Sequence, residues 1–208
     1  STKKGTGIEL FGHRDDLESL HETLHFLCGE SEADLDRHEH ALSLAYDVRK
    51  AFEGQRLHRD SEYGELFGTQ LTWPHVIFYT SYFRHLAGYR PTNKEHQANL
   101  ARLEYCVESA LVEYDAKVGL EVVSLYSGIG VAGADFYADF VSNITYTWLY
   151  DSGHGKMRFR RLPVLIQSLH IMSPQYRQYA MMLEQEAKKH GCSPYLLHDA
   201  RDWPEIEW

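Results

Sequence analysis

The chain has 208 residues, 43% of them hydrophobic and 25% charged, which is typical of a folded globular protein and excludes a wholly disordered or fibrous one. Its 30 acidic and 21 basic residues give a formal net charge of −9, which argues against general binding to nucleic acids or anionic membranes. The sequence has no apolar run long enough to span a bilayer, no apolar signal region near its start, and 3 scattered cysteines, so we expect a cytoplasmic protein.

The first third of the chain predicts one strand and two helices. Alternation between flanking glycines predicts a strand over Gly7–Gly12. Leucines at spacings of three and four predict a helix over about residues 15–28, and a second helix is predicted over about residues 31–52. Residues 54–71 are polar and rich in glycine, so they are predicted to form a long loop.

The rest of the chain also favours helices. Trp73-Pro74 predicts the start of a third helix, which is apolar nearly all round and therefore expected to be central in its domain. Thr92–Glu95 has the form of a capping box and opens the longest predicted helix, which extends to about Val118. Residues 120–151 are ambiguous, and the apolar run over 121–126 leaves a short strand as an alternative.

The last third predicts two more helices and an alternating tail. The helices are predicted over about residues 162–172 and 174–190, with a short strand over 157–160 as a further possibility. The tail Trp203–Trp208 could pair with Gly7–Gly12 as an edge strand. The sequence therefore predicts a mainly α protein: a single helical domain over residues 1–208, a bundle with a marginal β element.

Three segments carry a resemblance to a known family. Gly7–Gly12, Ala45–Arg56 and the pair Trp73-Pro74 resemble the corresponding patterns of an uncharacterised bacterial family of unknown function. The resemblance implies a bacterial, cytoplasmic protein, and it implies no particular activity.

The sharpest motif is His21-Glu22-Thr23-Leu24-His25, a His-Glu-x-x-His pattern on the first predicted helix. Two histidines one turn apart can bind one zinc ion, and the glutamate can act as general base for a bound water. However, too few residues precede His21 for the sheet that such peptidases place before the motif, and the third ligand is unassigned. With 13 histidines in the chain the pattern also arises by chance, so zinc at His21, Glu22 and His25 is the alternative interpretation.

A second motif, Gly128-Ile129-Gly130-Val131-Ala132-Gly133, follows the apolar run 122–126 and has the form of a dinucleotide-binding fingerprint. A dinucleotide fold needs several parallel strands covered on both faces, and the rest of the chain predicts helices instead. The glycines are therefore better interpreted as a helix break or a close approach of two backbones.

The third pattern lies on the second predicted helix, where His38, Arg49 and Arg56 share a stripe with apolar residues such as Leu42 and Ala45. A buried guanidinium without a partner is costly, so each arginine would need a carboxylate, a water or a ligand anion. The stripe therefore indicates either a salt bridge in the core or a polar pocket for a small anion. The next predicted helix would supply such a pocket with tyrosine hydroxyls and with His75 or His85.

Lys156–Arg161 places four cations in six residues of an acidic protein. This run predicts a solvated charged stretch, with an anion-binding or partner-docking loop as the alternative.

Together these patterns predict a non-enzymatic binding protein of the bacterial cytoplasm whose specific function is unknown. Its ligand would be a protein partner or a small anionic molecule held by His38, Arg49 and Arg56, and no cofactor, nucleic acid or membrane is expected to take part. The alternative is a metal-dependent hydrolase that uses zinc at the His-Glu-x-x-His motif. The patterns leave the oligomeric state open.

Overall fold

The structure, a computed structural model, describes residues 1–29, 38–129, 136–151, 153–194, 197 and 206–208. It is 65% helical and contains a small antiparallel sheet, so the predicted fold class, mainly α with a marginal β element, is confirmed. No helix in these described ranges combines the length and the apolar character needed to cross a membrane.

Three antiparallel strands form the sheet in the spatial order β1-β3-β2: β1 (Gly7–Gly12), β2 (Leu57–Ser61) and β3 (Gly64–Thr72). The prediction of a long loop over residues 54–71 was wrong, because this segment forms the β2–β3 hairpin. Most side chains of β2 are exposed, as befits an edge strand, so its sequence lacks the apolar alternation that reveals a half-buried strand.

The partner of β1 is β3, with Gly7 opposite Thr72. The tail was the partner that the sequence offered for β1, and residues 203–205 of that tail lie outside the described residues. The described part of the tail, residues 206–208, has no strand conformation. It contacts the loop before β1, where the Thr6 hydroxyl donates a hydrogen bond to the carbonyl oxygen of Glu207 at 2.5 Å.

The helices in the described ranges are α1 (Arg14–Cys28), α2 (Glu39–Phe52), α3 (Trp73–Leu86), α4 (Lys94–Tyr114), α5 (Ala116–Tyr126), α6 (Tyr137–Asp151), α7 (Gly155–Phe159), α8 (Leu162–Ser168) and α9 (Pro174–His190). The longest predicted helix is divided, because Asp115 has extended backbone geometry and its side chain caps α5 by accepting from the amide of Val118. The strand alternatives at residues 121–126 and 157–160 were wrong, since these segments fall on α5 and on α7 with its C-terminal end.

Helix α3 is the centre of the core, as its apolar sequence predicts. It contacts β1, β3 and most of the other helices in the described ranges. Its largest fully buried side chains are Trp73, Ile77, Phe78 and Phe83. Burial of each such side chain contributes about 1.5–3 kcal/mol relative to exposure, so α3 anchors the elements that surround it.

Candidate functional site

A cleft of about 460 Å³ lies between α2, β3, the first turns of α3 and the described end of the tail. Its polar wall includes Ser43, Asp47, Arg56, His75 and Tyr79. Its apolar wall consists of Leu57, Leu71, Ile206 and Trp208. This volume falls in the range of pockets that hold small molecules, and such pockets combine apolar walls with a few convergent polar groups.

Helix α2 presents Ser43 and Asp47 to the cleft because its core-facing stripe lies beside them. The buried residues of this stripe are Ala41, Leu44, Ala45, Val48 and Ala51. Ser43 and Asp47 are one helical turn apart, so they share a face next to the stripe. The packing of α2 against β3 and α3 closes the cleft at this face.

Arg56 and Asp47 form an ion pair at the cleft, with 3.0 Å between a terminal guanidinium nitrogen and Oδ1. Their side chains are 44% and 31% exposed, so the pair itself stabilises the fold little. Burial raises the pKa of Asp47 even though Arg56 opposes the shift. In the described part of the chain, this is the one hydrogen bond of the Arg56 guanidinium, which has five N–H donors.

His75 and Tyr79, on the first turns of α3, supply neutral hydrogen-bonding groups. Burial lowers the pKa of His75 to about 4, so the imidazole is uncharged at neutral pH. Its Nδ1 lies 3.0 Å from the Thr72 hydroxyl. The Tyr79 hydroxyl lies 2.6 Å from the Ser43 hydroxyl, and burial raises the pKa of Tyr79. These groups bring hydrogen-bonding capacity to the cleft without adding charge.

Residues at the chain's two ends hold the apolar wall in place. Besides the bond from Thr6, Glu207 makes an ion pair with Lys4 at 3.3 Å, and its Oε2 lies 3.9 Å from Nδ1 of His154. These contacts position Ile206 and Trp208, the neighbours of Glu207, against the cleft.

In the described part of the chain, Arg158 is the one buried arginine. It contacts Thr6, in the loop before β1 that also binds the tail. The residue is 5% exposed and donates to the Thr6 hydroxyl at 2.8 Å and to the carbonyl of Leu149 at 3.0 Å. Both acceptors are uncharged, and burial lowers the pKa of Arg158 although the Glu207 carboxylate opposes the shift. The prediction that residues 156–161 are solvated is therefore wrong at Arg158.

The structure does not bring His38, Arg49 and Arg56 to one site. His38 is buried, and its Nδ1 lies 2.7 Å from the hydroxyl of Tyr82. The Arg49 side chain is 43% exposed and pairs with Glu53 at 3.9 Å. The predicted burial of Arg49 was wrong, because the core-facing stripe of α2 is rotated by about one position from the predicted one. The predicted burial of Arg56 was wrong, because α2 ends at Phe52 and Arg56 lies beyond it, just before β2. The role of these residues in ligand binding stays a prediction, and only Arg56 lines the cleft.

The His-Glu-x-x-His motif lies on α1 near Arg49. The ring centroids of His21 and His25 are 4.5 Å apart, and Glu22 is exposed. Burial lowers the pKa of both histidines, and the positive charge of Arg49 lowers it further. No third histidine, cysteine, aspartate or glutamate of the described residues completes a metal site with them. A cation at this position would face repulsion from Arg49, and zinc at this motif stays the untested alternative.

The glycine motif falls largely outside the described residues, which exclude 130–135. The apolar run before it, residues 122–126, is helical and belongs to α5. A dinucleotide fingerprint requires a strand at this point, so the structural context contradicts the dinucleotide interpretation.

Sequence reasoning found part of the cleft. The tyrosine hydroxyls of the third helix and His75 or His85 were expected at a polar pocket, and His75 and Tyr79 line the cleft. Ser43 was not assigned to a site, because it meets these residues only when α2 and α3 pack against each other. A further signal in the sequence was the short separation of Asp47 from Arg56 across the end of α2, which allows an ion pair.

Comparison with known proteins gives a family but no activity. No curated protein and no solved structure matches the chain. A family model with the description "Domain of unknown function (DUF6904)" matches residues 1–208. The resemblance to a family of unknown function is confirmed to that extent, and the bacterial origin stays a prediction. The chain therefore belongs to the family of the domain of unknown function DUF6904.

Proposed function

We propose that this protein is a non-enzymatic binding protein whose cleft holds a small organic carboxylate. The observation that carries the proposal is the state of Arg56: half-exposed at the cleft and joined by a single hydrogen bond to Asp47 within the described part of the chain. Among the residues that the structure describes, none accepts from its other N–H groups, which can therefore donate to a ligand. A guanidinium binds a carboxylate through two parallel hydrogen bonds, so a carboxylate is the ligand group that suits it best.

The rest of the cleft suits the remainder of such a ligand. Ser43, His75 and Tyr79 offer neutral donors and acceptors for a hydroxyl, a carbonyl or water. Leu57, Leu71 and Trp208 offer apolar surface for a short carbon skeleton or a single ring. We therefore expect a monocarboxylate with an apolar body to bind better than a small inorganic anion.

Asp47 makes the binding dependent on pH. A ligand carboxylate on Arg56 brings a second negative charge towards Asp47, whose pKa burial already raises. The bound ligand should raise this pKa further, so binding is accompanied by proton uptake. Affinity should therefore increase as pH falls towards the pKa of Asp47, as long as the ligand itself remains ionised.

The hydrogen bonds that the polar side chains of the cleft already make favour a binding role over catalysis. The Ser43 hydroxyl bonds to Tyr79, which is not a general base at neutral pH, and the Nδ1 of His75 is engaged with Thr72. The hydrolase alternative rests on the motif at His21 alone, and the nearby charge of Arg49 opposes it. The three cysteines are free, which supports our placement of the protein in a reducing cytoplasm.

The test is calorimetric titration with benzoate and acetate of the wild type and of two matched variants, Arg56→Gln and Arg49→Gln. The two arginine side chains are almost equally exposed, 44% and 43%, and only Arg56 lines the cleft. We expect binding of benzoate to be lost in Arg56→Gln and retained in Arg49→Gln. Equal losses in both variants, or binding unaffected by Arg56→Gln, would overturn the proposal.

A further inference from the structure

The β2–β3 hairpin places three potential metal ligands on one face near its turn. Asp60 pairs directly with Glu65, and His58 pairs with Phe67. Because alternate residues of a strand point to the same side, His58 and Asp60 share a face with Glu65. All three residues are exposed.

The ligand atoms of these residues are already close together. One atom from each of His58, Asp60 and Glu65 lies within 4.8 Å of the other two, and His58 Nε2 is 3.9 Å from Glu65 Oε1. Ligands of one tetrahedral zinc ion are roughly 3.3 Å apart, given metal–ligand distances of about 2.0–2.1 Å. Small rotations of exposed side chains would bring the three atoms to that spacing.

The charges at this position also favour a cation. Asp60 and Glu65 are directly opposite each other on an antiparallel pair, an arrangement in which like charges destabilise the sheet. In the ranges that the structure describes, Asp60 has no hydrogen bond or ion pair that would offset this repulsion. A bound divalent ion would replace the repulsion with attraction to both carboxylates.

We propose that the hairpin triad, defined as His58, Asp60 and Glu65, binds one divalent first-row transition ion, for which zinc is the probe. One imidazole nitrogen and two carboxylate oxygens form a mixed donor set that suits zinc and its neighbours. Calcium and magnesium prefer ligand sets made of oxygen alone. Three protein ligands leave at least one coordination position for water or for a group from another molecule.

Neighbouring residues both support and limit this site. The ring of Phe67 lies 5.3 Å from that of His58 and restricts its motion. The guanidinium of Arg14 lies 4.9 Å from the centre of the Phe67 ring and brings a positive charge near this face. We therefore expect binding weaker than at a structural zinc site, where no cation is nearby.

Titration of the full chain with zinc chloride by calorimetry tests the proposal. We expect one zinc ion per chain and little binding of magnesium at the same concentration. Loss of an outer partner of a metal ligand typically weakens binding 10- to 100-fold, so loss of a ligand in His58→Ala or Glu65→Gln should weaken it by about 100-fold. The matched control is Glu62→Gln, which removes the same charge from the turn of the same hairpin and should leave the affinity unchanged.

Three results would overturn the proposal. The first is zinc binding that disappears in His25→Ala and persists in His58→Ala, which would place the ion on α1. The second is an equal loss of affinity in Glu62→Gln and Glu65→Gln, which would indicate a general effect of surface charge. The third is the absence of a zinc site in the wild type. Circular dichroism in a chelator checks that each variant is folded, and Glu65→Gln, which keeps the shape of the side chain, serves if His58→Ala is not.

Discussion

Arg158 and Arg56 lie in two regions of the molecule where the guanidinium group differs in burial and in hydrogen-bond partners. Arg158 lies in the junction of the N-terminal loop, α7 and the tail, is 5% exposed, and donates to two uncharged oxygen atoms. Arg56 lies at the cleft, where its side chain is 44% exposed and bonded to the carboxylate of Asp47. The buried arginine joins the Thr6 side chain to the backbone of Leu149, whereas the half-exposed one makes a single hydrogen bond within the described part of the chain. Stability and binding are therefore expected to separate between the two regions.

The largest effect on stability is expected from Arg158→Ala. The substitution leaves a cavity and removes the donor for the buried carbonyl of Leu149, so it should lower the free energy of unfolding by about 3 kcal/mol. Arg56→Ala should lower it by about 1 kcal/mol or less, since its ion pair is partly exposed. Urea unfolding of both variants measures the difference. Equal losses would show that burial does not separate the contributions of the two arginines to stability.

Substitution of Gly5, which lies in the same junction, should also lower the free energy of unfolding. This residue has a φ of +67°, and an added Cβ would lie 2.4 Å from the carbonyl oxygen of Gly155. Gly5→Ala should therefore cost about 2–3 kcal/mol in thermal or urea unfolding. Gly191 has a similar φ of +64° with nothing within 4 Å of the added atom, so Gly191→Ala should cost only about 1 kcal/mol. A similar loss in both variants would show that the backbone at Gly155 can move to accommodate a Cβ at residue 5.

In the cleft, the contribution of His75 to the stability of the fold is expected to depend on pH. The pKa of His75 is about 4 in the folded protein and 6.5 for an unperturbed histidine, so the unfolded chain takes up a proton first as pH falls. The stability that neutral His75 contributes is complete above pH 6.5 and decreases between pH 6.5 and 4, by about 1.4 kcal/mol per pH unit.

Urea unfolding of His75→Gln between these pH values should accordingly show a shallower loss than the wild type. His190→Gln is the control, since that side chain is 68% exposed. His40, whose pKa is also about 4, remains in both variants and maintains part of the slope. Superimposable pH curves for His75→Gln and the wild type would contradict the burial of His75.

The smallest effect is expected from Arg49→Ala. Its side chain is 43% exposed and its contact with Glu53 is a 3.9 Å surface ion pair, so the change in stability should be within about 0.5 kcal/mol. A loss near that of Arg158→Ala would restore the interpretation of Arg49 as a buried residue, and urea unfolding decides between the two.

The sequence predicted correctly those helices whose apolar stripes and capping residues lie within the helix or next to its ends. Helix α1 has a leucine stripe and ends before Gly29, and α9 begins after Ser173, whose hydroxyl accepts from the amide of Tyr176. The β2–β3 hairpin was missed because most side chains of its edge strand face solvent. For α2, the alanines of the true core-facing stripe are weak apolar signals, so the larger Leu42 and Phe52 directed the prediction to a neighbouring face.

The site depends on contacts between distant parts of the chain, which local patterns do not record. Asp47 and Arg56 are close in sequence, but His75 and Tyr79 come from α3 and Trp208 from the tail. The burial of Arg158 likewise depends on Thr6, far away in the sequence. A run of cations is usually solvated, and only the packing of α7 against the N-terminal loop makes one of them an interior residue.

The central claim, that Arg56 holds a carboxylate in the cleft, is tested most directly by nuclear magnetic resonance of isotope-labelled protein titrated with benzoate. We expect the resonances of the Arg56 guanidinium and of the His75 and Tyr79 rings to shift together and saturate, while those of Arg49 and His38 do not move. Shifts confined to Arg49 and His38, or shifts spread evenly over the surface arginines, would contradict the account.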